Sequence, residues 1–224
     1  MQGWIYLLYF AVFIALVVLI PPLVKRYYYQ KLMNDIDTQN YAKFQTHLDS
    51  LLAKVSFSAF EREAIRLTMI EARQDKAKID DQIQFMENMR LNRRQKAQLG
   101  EQGFYIYLAQ GKIKKAARMM DLVKTYGTPQ QLHPLEIQYS ILLKKEAKYI
   151  DELKERLKKL EDSSGNIPEN LKVNAGTFQY LIALQYSYNK DKPNTEKWAK
   201  LALENLKGTP NEEEILKLLG RSAA

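Results

Sequence analysis

The 224-residue chain contains no cysteine and only two histidines. Without cysteine there are no disulfides, no cysteine nucleophile, no Cys-rich zinc site and no lipid attached through a thiol. His47 and His133 lie far apart and share no motif, so each reads as a helix-surface or packing residue. The nine glycines form no cofactor fingerprint. Gly111–Lys112 matches the end of a phosphate loop, but Ile106 stands where that loop needs Gly, and Ile113 replaces its Ser or Thr. Acid pairs such as Asp80–Asp81 and Asp151–Glu152 lie among Lys and Arg, as on solvated helix faces. No stretch of useful length alternates with a period of two, so strands are not expected. These absences argue against an enzyme: no catalytic residue, metal ligand or cofactor is expected.

Charge is also missing from the first 24 residues, which leaves the whole formal net charge of +8 on the remaining 200. Gly3 to Val24 is a 22-residue apolar run with Trp4, Tyr6 and Tyr9 near one end and Tyr27, Tyr28 and Tyr29 beyond the other. About 20 such residues span a bilayer as a helix, and aromatics favour its interfaces. No basic residue precedes the run and no A-x-A-like triplet follows it, so a retained single-pass anchor is expected rather than a cleaved signal peptide. Pro21 and Pro22 are expected to end or kink its helix. Lys25, Arg26, Lys31 and Lys43 on the downstream side place the N-terminus outside and the large domain in the cytoplasm.

Beyond the apolar run, breaks recur near Val55–Ser58, Leu91–Arg94, Tyr126–Pro129, Ser163–Pro168 and Gly208–Asn211. Their spacing of roughly 35–44 residues is that of helical-hairpin repeats. Each interval holds two patterns of helical period. Tyr41, Phe44, Leu48, Leu51 and Leu52 form one apolar face after a cap at Asp37 or Thr38, and Asn211 is placed to cap a final helix. The pattern is clearest from Leu99 to Val123. Leu99, Gly103, Phe104, Tyr107 and Leu108 share one helical face, Gly111 interrupts, and Ile113, Ala116, Ala117, Met120 and Val123 share the next.

This stretch resembles a tetratricopeptide repeat. Tyr107, Gly111, Ile113, Ala116 and Met120 match that family in order and spacing. Gly100 stands at its early Trp position, Val123 at its last small position, and the closing Pro is displaced by one to Pro129. The expected fold is therefore all-α: a transmembrane anchor over 1–24, juxtamembrane helices forming a first hairpin over 25–56, and an α-solenoid of such hairpins with a C-terminal capping helix over 57–220. In this family first-helix residues line a concave, peptide-binding surface, and the resemblance implies Gln98, Glu101, Tyr105 and Ala109 there.

A second candidate is the basic stretch Arg90, Arg93, Arg94, Lys96, Lys112, Lys114, Lys115 and Arg118, eight cations against one acid, Glu101. A hairpin would gather them for anionic headgroups, an acidic peptide or nucleic acid, the last least favoured because no recognition motif accompanies them. A solvated helix face accounts for them equally well. The expected function is a membrane-anchored adaptor or scaffold for protein or peptide partners. The alternatives are an extracytoplasmic chaperone or assembly factor of the same fold, and a membrane-tethered binder of anionic lipid or nucleic acid.

Overall fold

Capping and periodicity explain most element boundaries. The structure, a computed structural model, describes residues 2–220, and the side chains of 18–220 within them. Among the described residues there are twelve α-helices and no strand. They are α1 (Gln2–Asp37), α2 (Tyr41–Leu48), α3 (Leu51–Ser56), α4 (Ala59–Ala72), α5 (Lys76–Glu87), α6 (Arg93–Ala109), α7 (Ile113–Tyr126), α8 (Pro129–Gln138), α9 (Ile150–Lys158), α10 (Lys172–Tyr188), α11 (Lys192–Leu206) and α12 (Glu212–Leu218). Two compact units result: Met1–Gly103 with Thr125–Gly127, and Phe104–Lys124 with Thr128–Ala224.

The membrane anchor expected over 1–24 is corrected. Among the described residues no helix is long and apolar enough to cross a membrane. Within α1 the apolar run with described side chains is Val18–Val24, before Lys25 and Arg26. The side chains of the earlier part of the run, Gly3–Val17, lie outside the described residues. The single-pass placement with a cytoplasmic domain falls with the anchor. Pro21 and Pro22 do not end the helix; α1 continues through both to Asp37.

In the first unit α1 lays Tyr28, Leu32 and Ile36 against α2 and α3. The Tyr28 hydroxyl lies 2.9 Å from Ser50 Oγ, and the buried Asp35 carboxylate meets His47 Nδ1 at 2.5 Å. The face expected to run from Tyr41 to Leu52 is broken. Asn40, not Asp37 or Thr38, caps α2, and Ser50 starts α3 by accepting from Ala53 N at 3.2 Å. That restart turns Leu51 and Val55 outward, 77% and 80% exposed, and buries Ala53. Ser58 and Glu61 then form a reciprocal capping box that opens α4. Phe60, Ile65 and Leu67 of α4 and Ile79, Ile83 and Met86 of α5 are buried in this unit.

The second unit begins within α6. Gly111 joins α6 to α7 with φ of +65°, a left-handed conformation that glycine adopts without a Cβ penalty. Tyr107 and Ala116 are buried, Met120 is half-buried and Ile113 is exposed. Met119 rather than Met120 lies fully inside, so the buried stripe of α7 is Ala116, Met119 and Val123. Farther on, Ile137, Ile141, Leu153, Leu181 and Ile182 form one core cluster. Small residues bring α10 and α11 close: Ala183, Ala199 and Ala202 are buried, and a Cβ on Gly176 would stand 2.6 Å from Leu206 Cγ. Asn211 makes no side-chain cap to α12; instead Glu212 Oε2 accepts from Gly208 N at 2.7 Å.

One element was not anticipated. Tyr139–Leu143 continues α8 as a π-turn. The carbonyls at such an end need donors from elsewhere. Tyr139 O accepts from Lys144 N at 3.1 Å and Ser140 O from Glu146 N at 3.0 Å, while the Tyr188 hydroxyl donates to Ile141 O at 2.9 Å.

Candidate functional site

A cavity of about 590 Å³ opens in the first unit, where α1, α4 and α6 converge. Spacing explains its walls. Pro22, Arg26 and Tyr29 follow one stripe of α1, and Glu61, Ala64, Ile65 and Thr68 one stripe of α4. Gln98 and Gln102, four residues apart on α6, supply the third wall. Phe57 and Phe60 are buried beneath them and give an apolar floor.

The polar groups of the walls differ in what they already bind. Gln102 Nε2 donates to Ala64 O at 3.2 Å and Thr68 Oγ1 at 3.4 Å, which fixes its amide between α4 and α6. Gln98 is exposed, and among the described residues its amide has no hydrogen-bond partner. Lys25 donates to Glu61 Oε1 at 2.6 Å and stands over the Phe57 ring at 5.6 Å. Burial pushes the Glu61 carboxyl up. The Lys25 hydrogen bond, the Ser58 backbone and hydroxyl, and the Lys25 charge outweigh it and hold the group below its ordinary value.

Of the four residues implied by the repeat resemblance, Gln98 lines this cavity. Glu101 is half-buried in the same unit and is not part of the lining. Tyr105 and Ala109 are exposed and belong to the second unit, where the Tyr105 ring meets Phe104 edge-on at 5.5 Å. Gln102 was missed although it follows Gln98 by one turn, a spacing that places both on one helical face. Pro22, Lys25, Arg26 and Tyr29 were missed because their stretch had been assigned to an anchor and its flank.

The eight cations divide between the units. Arg90, Arg93, Arg94 and Lys96 fall in the first, and Lys112, Lys114, Lys115 and Arg118 in the second. Arg93 Nε donates to Tyr126 O at 3.0 Å, and Lys96 stands 4.6 Å from the Tyr126 ring centre. Lys112 and Lys115 both stand over Tyr107, at 5.6 and 5.5 Å.

Both histidines join helices. His47 bridges α2 to α1 through Asp35, and His133 Nε2 meets Glu152 Oε1 of α9 at 2.8 Å. Burial pushes the Glu152 carboxyl up, and hydrogen bonds from Arg156 and His133 bring it below its ordinary value. Among the described residues no group of three or more His, Asp or Glu is placed to hold a metal ion.

No protein-family model, curated protein or solved structure matches the chain.

Proposed function

We propose that this chain is a protein-binding scaffold of tetratricopeptide-like helical hairpins, working by binding rather than by chemistry. The first unit holds a peptide segment in the α1–α4–α6 cavity. The cavity itself carries this reading. It is large enough for a few side chains, floored by Phe57 and Phe60, and edged by an uncommitted amide at Gln98. Concave, mostly apolar sites with a few convergent polar groups suit ligands of this kind. The floor desolvates an apolar anchor residue, and an amide that both donates and accepts pairs with a peptide backbone without selecting its side chains.

Selection of randomly displayed 12-residue peptides on the full chain tests the reading. Peptides that bind in the cavity lose binding to Ala64→Trp, which fills it, and to Gln98→Trp, which covers it from an exposed position. Both variants are checked for an unchanged melting transition. Peptides that bind wild type and both folded variants equally well would place recognition elsewhere.

A further inference from the structure

We infer that the cavity selects an acidic segment, its apolar residue seated over Phe57 and Phe60 and its carboxylates facing Arg26 and Arg94. The inference rests on the peptide-binding reading above and adds the chemistry of the partner.

Among the described residues, three charged side chains line the cavity: Lys25, Arg26 and Glu61. Glu61 is fully engaged. It accepts from Lys25 at 2.6 Å, from Ser58 N at 2.8 Å and from Ser58 Oγ at 2.9 Å. Lys25 and Glu61 cancel, and Arg26 remains as the unbalanced charge of the lining. It is exposed and, among the described residues, without an acidic partner. Arg94 precedes Gln98 by one helical turn on the same face of α6, and it too is exposed and without an acidic partner among the described residues. The first turn of α6 carries no acid, so the positive end of the helix dipole adds to the same sign. Glu101, the one acid on that stretch of α6, is not part of the lining.

The chemistry of these groups defines the partner. A guanidinium stays charged throughout the working pH range and grips a carboxylate through two parallel hydrogen bonds. A basic segment would meet Arg26 and Arg94 with like charge. A neutral segment would fill the floor and leave both arginines to water. Only an acidic segment with an apolar residue uses the floor and the arginines together.

The displayed 12-residue library on the full chain provides the test. Selected peptides should carry Asp or Glu about threefold above the naive library within three residues of an aromatic or aliphatic anchor. Each Glu→Gln change in a synthetic copy should weaken binding by about threefold, as for exposed ion pairs. The loss should shrink at high salt and vanish in the double variant Arg26→Gln/Arg94→Gln. If that variant does not fold, the Glu→Gln peptide series on wild type decides alone. Selected peptides without acidic enrichment that are still blocked by Ala64→Trp would overturn the acidic selectivity and leave the cavity reading standing. Failure to select any peptide sensitive to Ala64→Trp would overturn both. A 12-nucleotide oligouridine binding at the same two arginines more tightly than the peptides would also overturn the inference.

Discussion

At Gly176 a missing side chain sets the distance between two helices. Its hypothetical Cβ would lie 2.6 Å from Leu206 Cγ and 2.9 Å from Asn205 Cβ, and Leu206 is fully buried. Gly176→Ala gains helix propensity, but overpacking at that distance outweighs it. The variant should lose about 1–3 kcal/mol, read as an earlier urea midpoint; an unchanged or later midpoint would show that α11 has room to move. Glu61 tests another kind of contact. Its carboxyl is held below its ordinary value of 4.5 in the native state. The folded chain therefore binds fewer protons than the unfolded one between those two values. The resulting stability is present above pH 4.5 and is lost as pH falls through the native value. Glu61→Gln removes this dependence, so its melting temperature should fall less steeply on acidification than that of wild type. Parallel acid limbs would mean that the Lys25–Glu61 pair contributes nothing. None of this was legible in the sequence. Gly176 sits within an ordinary helical pattern, and Glu61 pairs with a residue 36 positions away.

Elements were easier to read than contacts. The breaks near Ser58, Arg94, Pro129 and Pro168 lie at or between helix ends because each follows from local chemistry: a cap, a proline or a turn glycine. The failures have equally local causes. Leu51 and Leu52 carry the right spacing to continue α2, but Ser50 begins a new helix and resets the phase, so the pattern alone assigned them to the wrong side. In α7 the spacing put Met120 on the apolar face, and packing buries its neighbour Met119 instead. The π-turn at Tyr139–Leu143 has no sequence signal, because the partner that completes it, Tyr188, lies 47 residues on. Tyr188→Phe removes the hydroxyl donor from Ile141 O while keeping the ring. It should cost about 1 kcal/mol in denaturant unfolding, with little change in the slope of the transition. A midpoint equal to wild type would show that water satisfies the carbonyl as well as the tyrosine does.

At the scale of the whole molecule, the all-helical class was legible, since it depends on periodicity and punctuation. Of the cavity lining, Gln98 alone was legible. Its other walls come from α1 and α4, and no spacing rule announces that three helices distant in sequence share a hollow. The apolar start of the chain also drew the reading toward an anchor and away from Arg26 and Tyr29, which line the cavity. Removing Arg26 and Arg94 together is expected to leave the fold intact, because both are exposed and neither has an acidic partner among the described residues. Their double glutamine variant should melt within about 0.5 kcal/mol of wild type, as surface changes do; a large loss would assign them a structural task instead. The central claim is that the α1–α4–α6 cavity is where a partner binds. Hydrogen–deuterium exchange of the full chain, with and without a saturating selected 12-residue peptide, tests it most directly. Slowed exchange is expected at 23–29, 57–68 and 98–102, with no slowing there in Ala64→Trp. Slowing confined to other helices, or unchanged by Ala64→Trp, would contradict it.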